Sequence, residues 1–236
     1  VKKKKPKFYS FKALKDKAEL YIYGEIVSDK WYESDVTATD FKAELAKCKG
    51  KDLDIYINSP GGSVWEAQAI VSMLQRHDGV KTAYIDGIAA SAASFIALSC
   101  DKVFIPSNAY LMIHKAWGMS WGNADELRKQ AEMLDKVDEG ILAIYMTKAK
   151  VSEEEMKKLV ADESWFTGAE AIEVFDIEAV EEKNVAAFIN QEILAKYMKT
   201  PEDLKKLEDT ADAEQIETPN PNEKIMQELQ GFLELQ

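Results

Sequence analysis

Two successive stretches of the chain run from a strand through a glycine-marked turn into a helix, and this repetition restricts the fold more than any other feature. In the first, Leu53, Ile55 and Ile57 alternate with Asp54 and Tyr56 as a strand requires, and the run stops at Asn58-Ser59-Pro60-Gly61-Gly62. Proline there cannot donate to a ladder, and the glycines relax backbone limits. From Ser63 onward, Val64, Ala67, Val71 and Leu74 lie three or four apart, the spacing of one helix face. The second unit reads as a strand over 81–85, a turn over 86–90 and a helix of small residues over 91–98. Consecutive units of this kind predict an α/β fold around a parallel sheet with right-handed crossovers.

The flanking sequence extends the same pattern. Residues 19–26 alternate as a first strand and 37–47 look helical; 103–105 and 110–113 are short strands separated by Pro106-Ser107-Asn108, with His114 directly after the second. Residues 124–149 form the longest predicted helix, whose stripe of Leu127, Leu134, Val137, Ile141 and Ile144 would pack on its own domain or on a neighbouring subunit. Ser152 with Glu155, and Thr167 with Glu170, are capping-box signals for two further helices. We read a lysine-rich arm over 1–18, a core domain over 19–183 and an acidic, partly helical tail over 184–236, where residues 201–236 carry ten acids against three lysines. A chain of 236 residues with 46% apolar side chains can bury one sizeable core plus such appendages. Its longest apolar stretch, 87–98, is too short to span a bilayer. The lysine-rich start leads into no apolar signal region, so a cytoplasmic protein with no membrane partner is expected.

Composition also narrows the chemistry. A net charge of −12 opposes attraction to nucleic-acid phosphates. Cys48 and Cys100 have no metal-like spacing and read as buried structural thiols. Of only two histidines, His77 lies in a polar helix end, whereas His114 follows a strand, where loops of parallel sheets gather functional groups. A nucleophile beside such a base needs a sharp turn, and Gly87-Ile88-Ala89-Ala90-Ser91-Ala92-Ala93-Ser94 supplies one, with Ser91 opening a helix whose free amides favour developing negative charge. Small residues here serve close helix–sheet packing equally well. Ser94 and Ser99 lie further along that helix and are less well placed. Gly61-Gly62 offers a second source of backbone amides, or is merely a turn.

Four segments in order, Asn58-Ser59-Pro60-Gly61-Gly62-Ser63, Gly87-Ile88-Ala89-Ala90-Ser91, Met112-Ile113-His114 and Trp165-Phe166-Thr167-Gly168-Ala169-Glu170-Ala171, resemble the motif series of the Clp protease proteolytic subunit over about residues 19–182. The resemblance implies the Clp/crotonase-like fold and a serine endopeptidase with Ser91 as nucleophile and His114 as general base. It implies an oxyanion hole from the amides of Gly62 and Ala92, and peptide binding at Gly61, Gly118 and Gly122, the last two leading into a handle helix that joins two rings. The family carries Asp two positions before the aromatic residue of the last motif; here that place is held by Glu163, with Asp162 as the rival third triad member. The proline that commonly follows the His-containing motif is absent, as His114-Lys115-Ala116 shows. The lysine-rich start, the segment 21–30 and the acidic tail look more like the phage and prophage head maturation proteases of this family, which trim capsid or scaffold proteins.

The implied chemistry is acyl transfer without a metal or other cofactor, on protein or peptide substrates, in a homo-oligomeric ring or two stacked rings. No nucleotide loop is seen, so ATP is not expected as a cofactor, and whether an unfoldase takes part is open. Two other readings compete: an acyl-CoA enzyme of the same fold, in which two amides hold a thioester enolate, and a noncatalytic ring-forming assembly protein.

Overall fold

The computed structural model describes residues 11–13, 17–28, 36–181 and 194–205. At its centre is an eight-stranded sheet. Strands β1 (Phe11–Ala13), β2 (Lys17–Tyr23), β3 (Asp52–Ser59), β4 (Lys81–Ala90), β5 (Lys102–Pro106) and β8 (Glu178–Val180) lie side by side in that order, while β6 (Tyr110–Ile113) pairs with β4 and β7 (Ser164–Thr167) with β6. From β2 to β5 and on to β8 every pairing is parallel; β1 on β2 and β7 on β6 are antiparallel. The expected α/β fold around a parallel sheet is therefore present.

Helices α1 (Ala38–Leu45), α2 (Val64–Gln75) and α3 (Ala92–Leu98) cover one face of the sheet, followed by α4 (Ala124–Met146), α5 (Glu153–Ala161), α6 (Gly168–Val174) and α7 (Glu202–Lys205). Leu20, Ile22, Leu53, Ile55, Ile57, Ala83 and Ile85 from the strands form one buried cluster with Phe41, Ile70, Leu74, Phe95 and Ile96 from the helices. On the sheet's outer side Tyr21, Tyr56, Tyr84 and Phe104 stack from strand to strand at centroid distances of 4.8, 5.1 and 5.3 Å, a half-buried aromatic ladder. Among the described residues no helix is long and apolar enough to cross a membrane.

Three expectations are corrected. Residues 86–90 are strand rather than turn, because β6 gives the second half of β4 a ladder partner after β5 has paired with the first half. The long helix ends at Met146, and its stripe packs on the domain only at the C-terminal end: Ile141 and Ile144 are buried, whereas Leu127 is 44% exposed. Part of the expected tail, residues 194–205, lies on the domain, with Leu194 and Leu204 buried against Ile88, Ala90 and Met112. Each such leucine contributes about 1.5–3 kcal/mol relative to an exposed one. The arm expected over 1–18 contributes β1 and the start of β2; its residues 1–10 and 14–16, and the tail's residues 184–193 and 206–236, lie outside the described residues.

Candidate active site

The fork in β4 creates the site. Its second half runs parallel to β6 with Ala90 opposite Met112, and the Ser91 amide donates to the Met112 carbonyl at 3.0 Å. One residue beyond Ala90 the chain leaves the ladder at Ser91, with φ 53° and ψ −123°. That left-handed conformation is costly for a residue with a Cβ and persists only where the surroundings enforce it. Here they do: Ala89, Ala90, Ala92 and Ala93 are all buried, and α3 begins at once, with Ser91 as its N-cap. Two residues beyond Met112 stands His114, and its Nε2 lies 2.7 Å from Ser91 Oγ.

The partner on the other side of β6 brings the acid. β7 runs antiparallel with Ile113 opposite Ser164, and Glu163, the residue before Ser164, lies near enough for its charge to act on the His114 imidazole. Glu163 also has a positive φ, 51°, and is 8% exposed. Its rival Asp162 is the exposed C-cap of α5, and its backbone carbonyl accepts from the Lys199 ammonium. Burial pulls the His114 imidazolium below the ordinary histidine range, opposed by the charge of Glu163 and then of Asp138. Burial thus disfavours the charged form of the imidazole in contact with Ser91.

Both Glu163 oxygens are nevertheless engaged elsewhere. They accept from the backbone amides of Lys199 at 2.6 Å and Met198 at 3.1 Å and from the Trp165 indole at 3.3 Å. Among the described residues no hydrogen bond joins Glu163 to His114.

The glycines divide into two groups. Gly61, φ 95°, is pressed onto the back of the nucleophile turn, where an added Cβ would stand 2.5 Å from the Ala90 carbonyl oxygen and 2.8 Å from Ser91 Cβ. Gly62, φ 141°, bridges to Ile26 through the bonds of its neighbours, Ile26 amide to Gly61 carbonyl at 2.8 Å and Ser63 amide to Ile26 carbonyl at 2.7 Å. In a parallel bridge this turns the amide of Gly62 itself to the opposite side of the strand. Gly62 lines a cavity of about 620 Å³ shared with Ser91 and His114. Gly118 lines it too, and its walls are mixed, with Trp65, Trp117, Met133 and Val137 beside Glu25, Gln130 and Lys196. Gly61 and Gly122 are not on that wall; Gly122 packs beside Glu126 at the start of α4. The Ala92 amide is in the first turn of α3 and has no intrahelical acceptor.

One contributor escaped the sequence reading. Tyr197 meets the His114 imidazole edge-on at 5.4 Å between ring centroids, touches Trp165 at 5.8 Å and donates its hydroxyl to the Pro60 carbonyl. Burial pushes that hydroxyl up to about 12, with Ser91 acting against the rise. The available signal was the spacing of Leu194, Tyr197 and Met198, three and four apart inside a polar stretch.

The other reactive side chains lie away from this cavity. His77 binds the Lys51 carbonyl at 2.6 Å, a structural contact. Cys48 and Cys100 are buried free thiols, pushed up by burial to about 11 and about 12, and so are poor nucleophiles.

A half-buried hydroxyl–imidazole pair at a strained strand-to-helix turn is a hydrolytic arrangement, and similarity to known proteins agrees with it. The sequence profile described as Clp protease matches residues 3–184. The chain belongs to the Clp protease family. It is 33% identical over 179 residues to the ATP-dependent Clp protease proteolytic subunit of Porphyromonas gingivalis, covering 71% of this chain and 80% of that protein. It is 29% identical over 153 residues to the ATP-dependent Clp protease proteolytic subunit 1 of Protochlamydia amoebophila, covering 63% and 69%. This Clp-family protein is a serine-type peptidase, a hydrolase. The acyl-CoA and noncatalytic readings give way to it.

Proposed function

We propose that Ser91 is the nucleophile of an endopeptidase, His114 its general base and Glu163 the carboxylate that orients and charges against the imidazole. The observation that carries this reading is the 2.7 Å contact between His114 Nε2 and Ser91 Oγ. In the reaction His114 takes the Ser91 proton as Oγ attacks a peptide carbonyl, the amides of Gly62 and Ala92 receive the oxyanion, and the imidazolium returns its proton to the leaving amine. Water then attacks the acyl-enzyme by the same route.

The assembly belongs to the same proposal: a homo-oligomeric ring, stacked in pairs through the exposed start of α4, acting in the cytoplasm on protein substrates. The printed names of both relatives include ATP dependence; with no nucleotide loop in this sequence, ATP-driven unfolding would be the work of a separate partner. The narrower role is that of a phage or prophage enzyme trimming capsid or scaffold proteins, supported by the lysine-rich start and the acidic C-terminal sequence.

A fluorophosphonate probe followed by peptide mapping tests the chemistry. Ser91 is expected to carry the label, Ser91→Ala to abolish it, and His114→Ala to slow turnover by about 10⁴–10⁶-fold, the scale on which serine peptidases lose rate without the base. Label on another serine would reject the assignment. For the narrower role, a capsid or scaffold precursor should be cut at a few defined sites while an unstructured protein such as casein is degraded slowly; the reverse preference speaks for general proteolysis.

A further inference from the structure

The contacts of residues 194–205 converge on the active site from several sides. Leu194 and Leu204 seat in an apolar patch made by Ile88, Ala90 and Met112, the two strands that deliver Ser91 and His114. Between these anchors, Tyr197 reaches the Pro60 carbonyl, one residue before the glycine that backs Ser91, and lays its ring edge against His114. Next in the chain, the amides of Met198 and Lys199 bind the two oxygens of Glu163. Lys196 lines the cavity with Tyr197 and lies 3.7 Å from Glu25.

Two consequences conflict with turnover. A peptide carbonyl placed to meet Ser91 Oγ and the amides of Gly62 and Ala92 must pass beside Pro60, Gly62 and His114, and there Tyr197 forms part of the cavity wall, bonded to Pro60 and against the His114 ring. An orienting carboxylate must also accept from the imidazole, whereas the bonds Glu163 makes go to the segment's backbone and to Trp165, and none joins it to His114 among the described residues. The attachment consists of two buried leucines, two backbone bonds to Glu163, the tyrosine, and two lysines at Asp162 and Glu25, with the Met198 side chain 86% exposed between them. An element held in this way can leave without disturbing the sheet beneath it.

We infer that residues 194–205 are an intramolecular strap that holds the peptidase in a resting state, and that its release opens the cleft and frees Glu163 for His114. The inference rests on the peptidase reading above and concerns the regulation of that site. It also gives a use to the part of the C-terminal sequence that packs on the domain.

The test is made on the full chain. Leu194→Asp with Leu204→Asp unseats the anchors, and Tyr197→Ala empties the cleft while keeping them; Tyr197→Phe removes only the bond to Pro60. For each, the rate of fluorophosphonate labelling at Ser91 is measured beside hydrogen exchange over 194–205. A strap shut in about nine molecules of ten lowers the rate about tenfold, so labelling should rise about tenfold in the first two variants, and less in Tyr197→Phe. Exchange over 194–205 should quicken in the anchor variant. Should that variant not fold, shown by a lost cooperative melt, Tyr197→Ala decides alone. Labelling that stays level or falls in Tyr197→Ala would make the segment a part of the working site and overturn the inference while leaving the peptidase reading intact. Exchange over 194–205 in the wild-type chain as fast as in an unfolded peptide would overturn it as well. Absence of Ser91 labelling in every variant and in the wild type would remove the peptidase reading itself, and the strap's regulatory role with it.

Discussion

At the scale of the residue, the site is built from backbone conformations that side-chain-bearing residues avoid. Ser91 and Glu163 both have positive φ, at 53° and 51°, and Gly61 presses against the Ser91 turn from behind. In Gly61→Ala the new Cβ would collide with the Ala90 carbonyl in a backbone conformation that alanine resists. We expect a loss of about 1–3 kcal/mol in denaturant unfolding and, because displacements near 1 Å are costly in catalysis, roughly 10²-fold slower labelling of Ser91. Under the proposed mechanism the pH profile is set by His114. Burial disfavours its charged form, so the neutral base is already present below the ordinary histidine value of 6.5. Activity should therefore rise with pH along one ionisation centred below that value and stay level through neutrality. Glu163→Gln removes the larger of the two charges that hold the proton on, so the midpoint moves to still lower pH. Its plateau should fall by about 10²–10⁴-fold as the imidazolium loses its stabilising charge. A midpoint that moves upward instead would show that Glu163 does not act on His114.

At the scale of the element, short segments carry the geometry. The helix α3 is made of small and apolar residues, all seven of them buried, which lets it lie close behind the nucleophile turn. Ala93→Leu would overpack that contact, with an expected cost of about 1–3 kcal/mol and a displaced Ser91, read as a lower melting temperature together with slower labelling. Thr167 ends β7 and starts α6 with a reciprocal capping box: its side chain accepts from the Glu170 amide at 3.3 Å, and the Glu170 carboxylate accepts from its backbone amide at 2.8 Å. Thr167→Ala should lower stability by about 1 kcal/mol, which in a domain of this size is a melting temperature about 2–4 °C lower. Thr167→Ser should retain most of it.

At the scale of the whole molecule, the apolar side chains around the start of α4 face outward: Trp117 is 61% exposed, Met119 79% and Trp121 84%. A cluster of large exposed side chains of this kind marks an association surface. Under the proposed two-ring assembly, Met119→Glu with Trp121→Glu should halve the mass seen in sedimentation velocity while each ring remains whole. An unchanged mass would place the contact elsewhere.

Much of this architecture was legible in advance. The paired strand–turn–helix units, both cap signals and the pairing of a helix-opening serine with the histidine after a strand follow from spacing and residue type, which act over a few neighbours. One reading at the same scale went astray. Residues 86–90 carry turn-like composition yet extend β4, because β6 supplies hydrogen bonds that no local pattern announces. Asp162 and Glu163 are adjacent acids of which the sequence favours Glu163; burial separates them, Glu163 being 8% exposed and Asp162 standing at the exposed end of α5. Tyr197 lies 137 residues from Pro60 along the chain, a contact that local periodicity cannot encode. The sequence by itself determined the fold class and named Ser91 and His114 as candidate nucleophile and base, because propensity and periodicity are local. Tertiary structure alone decided which acid is buried beside that base and what lies across the cleft, because ladder register and long-range packing are chosen by the whole core at once.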